Sequence, residues 1–474
     1  GGFSLCIHYD GRKDLEPIIN PDYENFQMND NVFDNVTSRQ EGRCMKLNLL
    51  RNNELVFRGN QIINCNESPS PHAFIFIRFA EVINGTFTFR DCVFDNCTIN
   101  DSRRYASILF IENPDGDSNP QPYDLIIEGC TFSRLRNNQK GGALQLGGTT
   151  SKTGNDRNYH AQTNLTLSNC TFQHNVTPEK GGAFCFIAVR PLTITNCIFE
   201  NNTGKQGCAL YIQTYFDVEN YDNFLPNCSI THCTFLNNQD TVTDSTPTVI
   251  FLNNLFKEDS ETYITISDCT FQGNVPQSSS NSLYCILGSG RSITIERSTF
   301  NNSNIEQSCG AICIQRRSIV KIDGNDFIKC NPRAIYYFPT ETNNESHEDQ
   351  EDINITNCNF DSNTGSLDGI AITLSSLLSD KVYLSHLRFC NHYTDHHIVR
   401  IVFTNPKPNI LFYDLDFTNN ENDGSNGGAA LIVDKVDTIT FESCNFDSNN
   451  AKETGGGAIH IETNNLAFID CTFT

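Results

Sequence analysis

The sequence predicts an all-β protein built as a parallel β-helix, in which short strands coil around an axis and stack on one another. One eight-residue pattern, apolar-x-apolar-x-x-[C/S/N/L]-x-[F/I], recurs fifteen times at intervals of 27 to 40 residues. The shortest spacing between copies is 27 residues, and the longer spacings exceed it irregularly, which indicates a fixed structural unit carrying loops of variable length. No segment keeps the 3.6-residue apolar period that an amphipathic helix needs. The copies end at Phe33, Ile62, Phe94, Phe132, Phe172, Phe199, Phe235, Phe271, Phe300, Phe327, Phe360, Phe389, Phe417, Phe446 and Phe473.

One of the shortest repeats, residues 192–212, shows the elements of a coil in order. "LTI" alternates as a short half-buried strand, and the next two residues, "TN", shift the phase as a corner would. "CIF" is a second strand with Cys197 and Phe199 on one face, "ENNTGKQG" is a turn, and "CALYI" is a third strand. Stacked about 4.8 Å apart, such coils place each residue over its counterpart in the next coil. We therefore expect about fifteen three-stranded coils with ladders of Phe, Cys and Asn.

Two linked motifs mark the corners of these coils. An Asn three residues after the Phe can bond the backbone of its own coil and of adjacent coils. The paired glycines of GGA suit a corner that needs a positive φ or a close backbone approach. F-x-x-N ends at Asn175, Asn202, Asn238, Asn274, Asn363, Asn420 and Asn449. GGA covers 141–143, 181–183, 427–429 and 456–458, with degenerate forms at 207–209 and 309–311.

The pairing of GGA[ILV] with F-x-x-N over nearly the whole chain resembles the repeat of the polymorphic outer-membrane protein family. The resemblance implies a right-handed, pectin-lyase-like β-helix with an adhesive or surface-coat role. Its expected partners are other copies of the chain or other surface proteins and glycans. Polar loops should project from one edge of the coils, the longest being 9–25, 147–163, 213–227, 253–262 and 339–352.

Charge and length limit the partners and the organisation. A net charge of −23 argues against nucleic acid and anionic membranes, and no run of about 18 apolar residues predicts a membrane span. Residues 1–474 read as a single β-helix domain that starts in a third strand and stops in a second strand, without a polar cap. Open coil edges pair with other strands. We therefore expect an excerpt of a longer solenoid or a subunit that stacks head to tail into a filament.

The 21 cysteines mostly follow the repeat. Ser298, Asn325, Leu387 and Leu415 replace Cys at the repeat position, which indicates a small or apolar inward side chain. A ladder of buried thiols is expected, with occasional disulfides between coils still open. Cys185 and Cys313 alternate with apolar neighbours and are expected to point outward, available for oxidation or crosslinking. The repeat cysteines are Cys92, Cys130, Cys170, Cys197, Cys233, Cys269, Cys358, Cys444 and Cys471.

Thirteen N-x-[ST] sequons suggest an N-glycosylated protein of the cell surface or the extracellular space. Several place Asn at an outward strand position or in the turn after the Phe, where a glycan would not disturb the core. The acceptors are Asn35, Asn66, Asn84, Asn96, Asn100, Asn164, Asn169, Asn175, Asn201, Asn227, Asn301, Asn344 and Asn354.

A catalytic site receives little support from the sequence. Polysaccharide lyases and hydrolases need carboxylates grouped with Arg, Lys or His. The set N-x-D, D-D, H-G and R-x-K is absent, so we expect no enzyme and no cofactor. The alternatives are a carbohydrate-active enzyme or glycan-binding protein on the same fold, and a surface protein stiffened by calcium. Weak metal candidates are Asp115, Asp117 and Asn119, and the group Cys390, His392, His396 and His397.

Overall fold

The computed structural model describes strands and corners throughout the repeat, and all regular secondary structure in the described residues is β-strand. The described residues are 5–8, 25–35, 37–38, 45–49, 54–67, 75–79, 85–99, 109–112, 123–138, 140–146, 148–149, 158–159, 163–188, 191–214, 227–241, 248–254, 263–276, 283–289, 291–302, 309–339, 351–365, 369–378, 381–423, 431–452, 458–459, 461 and 463–474.

The chain divides into two compact units, and each is a parallel β-helix. Unit 1 comprises Gly1–Thr241 and Val249–Asp259, and unit 2 comprises Val242–Thr248 and Ser260–Thr474. In each unit the strands of successive coils pair in parallel and form three faces, named here in chain order from the apolar-x-apolar strand. The second face carries the Phe of the repeat, and the third face follows the GGA motif.

The described part of unit 1 contains thirty strands, one of which begins at the unit boundary. The first face contains Asn25–Asn29, Glu54–Arg58, Thr86–Arg90, Tyr123–Glu128, Thr163–Ser168, Leu192–Thr195 and Cys228–Thr231. The second face contains Val32–Asp34, Gln61–Ile63, Val93–Asp95, Thr131–Ser133, Thr171–Gln173, Ile198–Glu200 and Thr234–Leu236. The third face contains Leu5–His8, Met45–Leu49, Ile75–Phe79, Leu109–Glu112, Leu144–Leu146, Phe184–Ala188, Leu210–Thr214 and Thr248–Asn254. Two-residue strands are Thr37–Ser38, Asn66–Glu67, Thr98–Ile99, Arg136–Asn137, Thr203–Gly204 and Gln239–Asp240, with an antiparallel pair at Gly148–Thr149 and Asn158–Tyr159.

Unit 2 contains longer strands that continue through corners. The first face contains Tyr263–Ser267, Ser292–Glu296, Ile319–Asp323, Asp352–Thr356 and Asn465–Ile469. The second face contains Thr270–Gln272, Thr299–Asn301, Asp326–Ile328, Asn359–Asp361, Asn445–Asp447 and Thr472–Phe473, and the third contains Leu283–Ser289, Cys309–Ile314, Ile335–Tyr337 and Ile372–Leu377. Val382–Cys390, Val399–Thr418 and Leu431–Glu442 each serve more than one face. Two-residue strands are Val275–Pro276, Thr364–Gly365, Tyr393–Thr394, Glu421–Asn422 and Asn450–Ala451.

The predicted Phe ladder is confirmed within each unit. Phe132, Phe172 and Phe199 are register partners on the second face of unit 1, with ring centroids 4.6 and 5.0 Å apart. In unit 2 the rings from Phe271 to Phe473 stack in the same way, at 4.6 to 5.3 Å. Each buried ring contributes about 1.5–3 kcal/mol, so the ladder is the main apolar support of the coils.

Single residues in the left-handed region turn the chain at the corners beside the second face in most of the described coils. Asn196 (φ 53°) separates the first and second faces of its coil, as the phase shift in "TN" predicts, and Asn201 (φ 53°) follows the second face. Asn, Asp and Gly tolerate this region best. At the GGA corner Gly181 has φ 72°, and a Cβ on Gly182 would lie 1.9 Å from the carbonyl oxygen of Cys208. Both predicted reasons for the paired glycines are thus confirmed here, whereas 427–429 and Gly456 lie outside the described residues.

Candidate functional surfaces

The F-x-x-N asparagines form a ladder of buried amides at the corner after the second face. Asn202 Nδ2 donates to the carbonyl oxygen of Phe172, 2.9 Å away in the preceding coil, and to Oδ1 of Asn238 at 3.0 Å. Asn202 Oδ1 accepts from the backbone N–H and from Nδ2 of Asn175, at 3.1 and 2.9 Å. The Asn202 amide therefore joins three successive coils, and none of its polar atoms is left for a ligand.

The repeat cysteines form a second ladder, at the corner before the Phe. Cys170 Sγ donates to the carbonyl oxygens of Ser168 (3.1 Å) and Ile127 (3.5 Å). Asn325 Nδ2 makes the equivalent bonds to Asp323 and Ile295, and Ser298 Oγ donates to the Glu296 carbonyl. The position therefore selects hydrogen-bonding side chains as well as small ones, and Leu387 and Leu415 are the apolar exceptions.

The predicted thiol ladder is confirmed within the described residues. Eighteen cysteines have side chains that the structure describes; these are free thiols, and all but Cys471 are buried. Burial raises the pKa of Cys358 to about 12, so this thiol stays protonated at neutral pH. A buried, protonated thiol is a poor nucleophile, so Cys358 has a structural role in the ladder.

The prediction that Cys185 and Cys313 are exposed is wrong. Both side chains point away from the coil interior, as the alternation indicates, yet they are only 0% and 1% exposed. Cys185 lies in register with Tyr211, whose ring stacks on Phe251 at 5.0 Å, and these rings cover the row. Cys313 lies in register with Tyr336. Burial raises the pKa of each thiol to about 12, so neither suits oxidation or crosslinking.

His392 occupies an asparagine position of the amide ladder, three residues after Phe389. Its Nδ1 lies 3.0 Å from the backbone N–H of Asn363 and accepts from it. Nδ1 is also 3.3 Å from the Asn363 carbonyl, but a protonated Nδ1 would face that N–H donor, so the proton belongs on Nε2. Burial lowers the pKa of His392 to about 4, and the ring is neutral at physiological pH.

The metal candidates do not assemble into a site in the described part of the chain. Cys390, His392 and His397 are buried and His396 is partly exposed, and no three His, Cys, Asp or Glu side chains among the described residues are placed to hold a metal ion. The segment 390–398 forms a corner of the coil and is not a solvated loop, because most of these candidate ligands are buried in it. Asp115, Asp117 and Asn119 lie outside the described residues.

The sequons divide by exposure. Asn175 is fully buried, and its Nδ2 donates to Phe132 and Asn202, so a glycan there would break the amide ladder. Asn175 is therefore removed from the predicted acceptors. Exposed acceptors are Asn35, Asn96, Asn169 and Asn227, and partly exposed ones are Asn164, Asn201, Asn301 and Asn354. Asn84, Asn100, Asn344 and the side chain of Asn66 lie outside the described residues.

The strongest carboxylate constellation in unit 2 is a buried clamp around Glu351. Its Oε1 accepts from Tyr337 OH at 2.7 Å and from Arg317 Nη1 at 3.2 Å, and its Oε2 accepts from the Leu378 N–H at 2.7 Å. Arg317 also donates to the carbonyl of Ser376. Glu351 is 0% exposed, so this carboxylate binds chain segments together and does not reach a solvent-borne substrate.

An aromatic and arginine cluster on the outer side of the third face in unit 2 was missed from sequence. The Arg333 guanidinium lies 4.4 Å from the centroid of the Tyr336 ring, and Tyr336 stacks on the 38% exposed Phe338. Tyr284 lies across Gly310, where a Cβ would be 2.6 Å from ring atoms, and it hydrogen-bonds Arg333. The available signal was that Tyr284 and Arg333 stand where GGA motifs carry their second glycine.

Comparison with protein-family models, with curated proteins and with solved structures finds no match. Within the described residues, no helix has the length and apolar character that crossing a membrane would require.

Proposed function

We propose that this chain is a non-enzymatic extracellular β-helix protein with a structural or adhesive role, N-glycosylated and displayed at a surface. Its partners are other copies of the chain, or surface proteins and glycans. The observation that carries the proposal is the use of side chains: the ladder amides, the repeat thiols and the Phe rings all bind neighbouring coils. Such a construction suits a rigid support whose outer residues meet partners.

The exposed sequons give independent support. Asn35, Asn96 and Asn169 stand at corners with φ between 51° and 54°, with side chains in solvent. An acceptor at an exposed turn can be modified without moving the core. The carboxylate clamp at Glu351 adds support against catalysis, because its oxygens are already bonded to protein donors.

The test is surface labelling of intact cells that carry the native gene, with a membrane-impermeant biotin reagent. Biotinylated protein whose mass falls on treatment with an N-glycosidase is the expected result, with a cytosolic protein as the unlabelled control. Release of new reducing ends from acidic polysaccharides, above a heat-treated sample, would contradict the non-enzymatic role. Absence of labelling would contradict the surface location.

Glycan binding is a second candidate function, favoured by the Arg333 cluster. A guanidinium held flat against an aromatic ring presents fixed donors for hydroxyl or carboxylate oxygens. Binding of the full chain to a glycan array, lost on Arg333→Gln and kept on Arg388→Gln, is the matched test. Equal binding by both variants would reject the Arg333 cluster as the site.

A further inference from the structure

Three lysines of unit 1 lie in a column at the GGA corner. Lys140 and Lys180 directly precede the paired glycines of successive coils, and Lys205 occupies the same corner in the next coil. Backbone bonds set this stacking: the Gly141 N–H donates to the Lys180 carbonyl at 2.8 Å, and the Lys205 N–H donates to the Glu179 carbonyl at 2.7 Å. All three lysines are partly exposed.

The column holds like charges together against their mutual repulsion. Burial lowers the pKa of Lys180, and the neighbouring ammonium groups of Lys140 and Lys205 lower it further. None of the three lysines has an ion pair with a described carboxylate, whereas Lys452 in unit 2 pairs with both Glu421 and Asp423. The adjacent Glu179 carboxylate offsets part of this repulsion, and three neighbouring lysines remain a local exception in a chain of net charge −23.

A fixed platform supports the central lysine. Lys180 Nζ donates to Tyr211 OH at 3.0 Å and lies 4.6 Å from the centroid of that ring. The Tyr211 hydroxyl in turn donates to Gln213 Oε1 at 2.7 Å, and the Tyr211 ring stacks on Phe251. Packing and hydrogen bonds therefore hold this ammonium in place, which reduces the ordering cost of binding a ligand.

We propose that Lys140, Lys180 and Lys205 form a binding site for a linear acidic glycan, one that bears a carboxylate or sulfate on successive sugars. The backbones of successive coils stack about 4.8 Å apart, with Lys205 one position before the counterpart of Lys180, so the three lysines follow one another along the stack. This arrangement fits a linear chain of anions better than a single small ion. Charge complementarity supplies the affinity, which must weaken as salt screens it. This inference rests on the proposed extracellular role and names a ligand class for it.

The experiment measures binding of the full chain to polygalacturonate and to dextran sulfate, with neutral dextran and duplex DNA as comparison ligands. The site variant carries Lys140→Gln, Lys180→Gln and Lys205→Gln together. The control variant carries Lys321→Gln, Lys329→Gln and Lys381→Gln in unit 2, which gives the same net charge. We expect the site variant to bind an acidic glycan at least tenfold more weakly than wild type, and the control variant to stay within twofold.

A second measurement uses the wild-type chain alone, so it does not depend on how the variants fold. Acetylation of lysines, followed by peptide mass spectrometry, should show Lys140, Lys180 and Lys205 protected by the acidic glycan and Lys321 unprotected. Preference for the carboxylated or the sulfated polymer then identifies the anion.

The inference is overturned if neither acidic polymer binds, if both triple variants weaken binding equally, or if DNA or neutral dextran binds as tightly as the acidic glycans. None of these outcomes alters the surface-labelling test, so failure of the site and failure of the proposed function are distinguishable.

Discussion

The amide ladder of unit 1 and the equivalent ladder of unit 2 form the same corner of the coil with different side chains. In unit 1, Asn175, Asn202 and Asn238 follow one another, and each amide both accepts and donates. In unit 2 the next position after Asn363 is filled by His392 instead of Asn, and Asn420 follows His392. His392 still supplies an acceptor for the backbone, because its Nδ1 accepts a hydrogen bond from the Asn363 N–H as the Oδ1 of an Asn would.

The two ladders differ in the bonds made by side-chain donors. Nδ2 of Asn175 donates to the next amide, but Nδ2 of Asn363 has no hydrogen-bond partner among the described residues, and neither does Nε2 of His392. A buried donor without a partner costs about 1–3 kcal/mol. The comparison indicates that the corner requires an acceptor for the backbone and that the amide donor adds further stability.

The largest effect should come from removing an amide of the intact ladder. We expect Asn202→Ala to lower the free energy of unfolding by about 3 kcal/mol or more, because it removes four hydrogen bonds of the ladder and leaves the Asn175 N–H buried without its acceptor. Urea unfolding followed by circular dichroism measures this. Thr193→Ala, an exposed change in the same coil, should cost no more than about 0.5 kcal/mol. Equal losses for both variants would reject the ladder as a stabilising element.

The next effect is a loss of stability in mild acid that comes from His392. Its pKa falls to about 4 on folding, from about 6.5 in the unfolded chain, so the unfolded state binds the proton first. Stability is therefore complete above about pH 6.5 and falls as the pH drops towards 4, by about 3 kcal/mol from this residue. The difference between wild type and His392→Asn across this range isolates the contribution. A pH-independent difference would contradict it.

A smaller gain is expected from repairing the ladder. At pH 8, His392→Asn should raise the free energy of unfolding by about 1 kcal/mol, because the new amide oxygen can accept from Nδ2 of Asn363. The substitution creates a sequon with Thr394, so the protein should be made without N-glycosylation. His232→Asn, at an exposed corner with φ 54°, is the matched control and should change little. A less stable His392→Asn protein would show that the ring packing outweighs the amide.

The smallest effect should occur at the thiol corner. Cys170→Ser should change the free energy of unfolding by less than about 1 kcal/mol, because Ser298 makes the same bond to the carbonyl two residues earlier. Cys170→Ala removes that bond and should cost more than the serine change. Thermal unfolding of the three proteins tests the order, and an alanine variant as stable as the serine variant would show that the corner needs no hydrogen bond.

Much of the fold could be predicted because each sequence repeat corresponds to one coil of the structure. The spacing of Phe172, Phe199 and Phe235 and the glycines of GGA fixed the coil, its corners and its stacking partners. The burial of Cys185 could not be predicted, because apolar alternation shows which way a side chain points but not whether solvent reaches it. Tyr211 and Phe251, which lie in other coils, cover the Cys185 side chain. His392 could have been placed by its distance of three residues from Phe389, but its residue type obscured the motif.

The candidate surfaces were predicted less completely, for the same reason. The sequons at Asn35 and Asn169 could be placed at corners, but the burial of Asn175 depends on an amide ladder that only the stacked coils reveal. The lysine column joins residues 25 or more positions apart, and the Arg333 cluster joins Tyr284 to residues of later coils, so both depend on how the coils stack.

The near-identity of the coils has a consequence for how each unit finds its structure. A coil shifted by one whole repeat would still place Phe on Phe and Asn on Asn, so the ladders favour stacking without specifying which coil is the neighbour. Discrimination must come from positions that break the repeat, such as His392, Leu387 and Gly310, whose lack of a side chain leaves room for the Tyr284 ring. Each of these departures fits one neighbouring coil. Together they exclude the misaligned stacking of coils that a uniform repeat would permit.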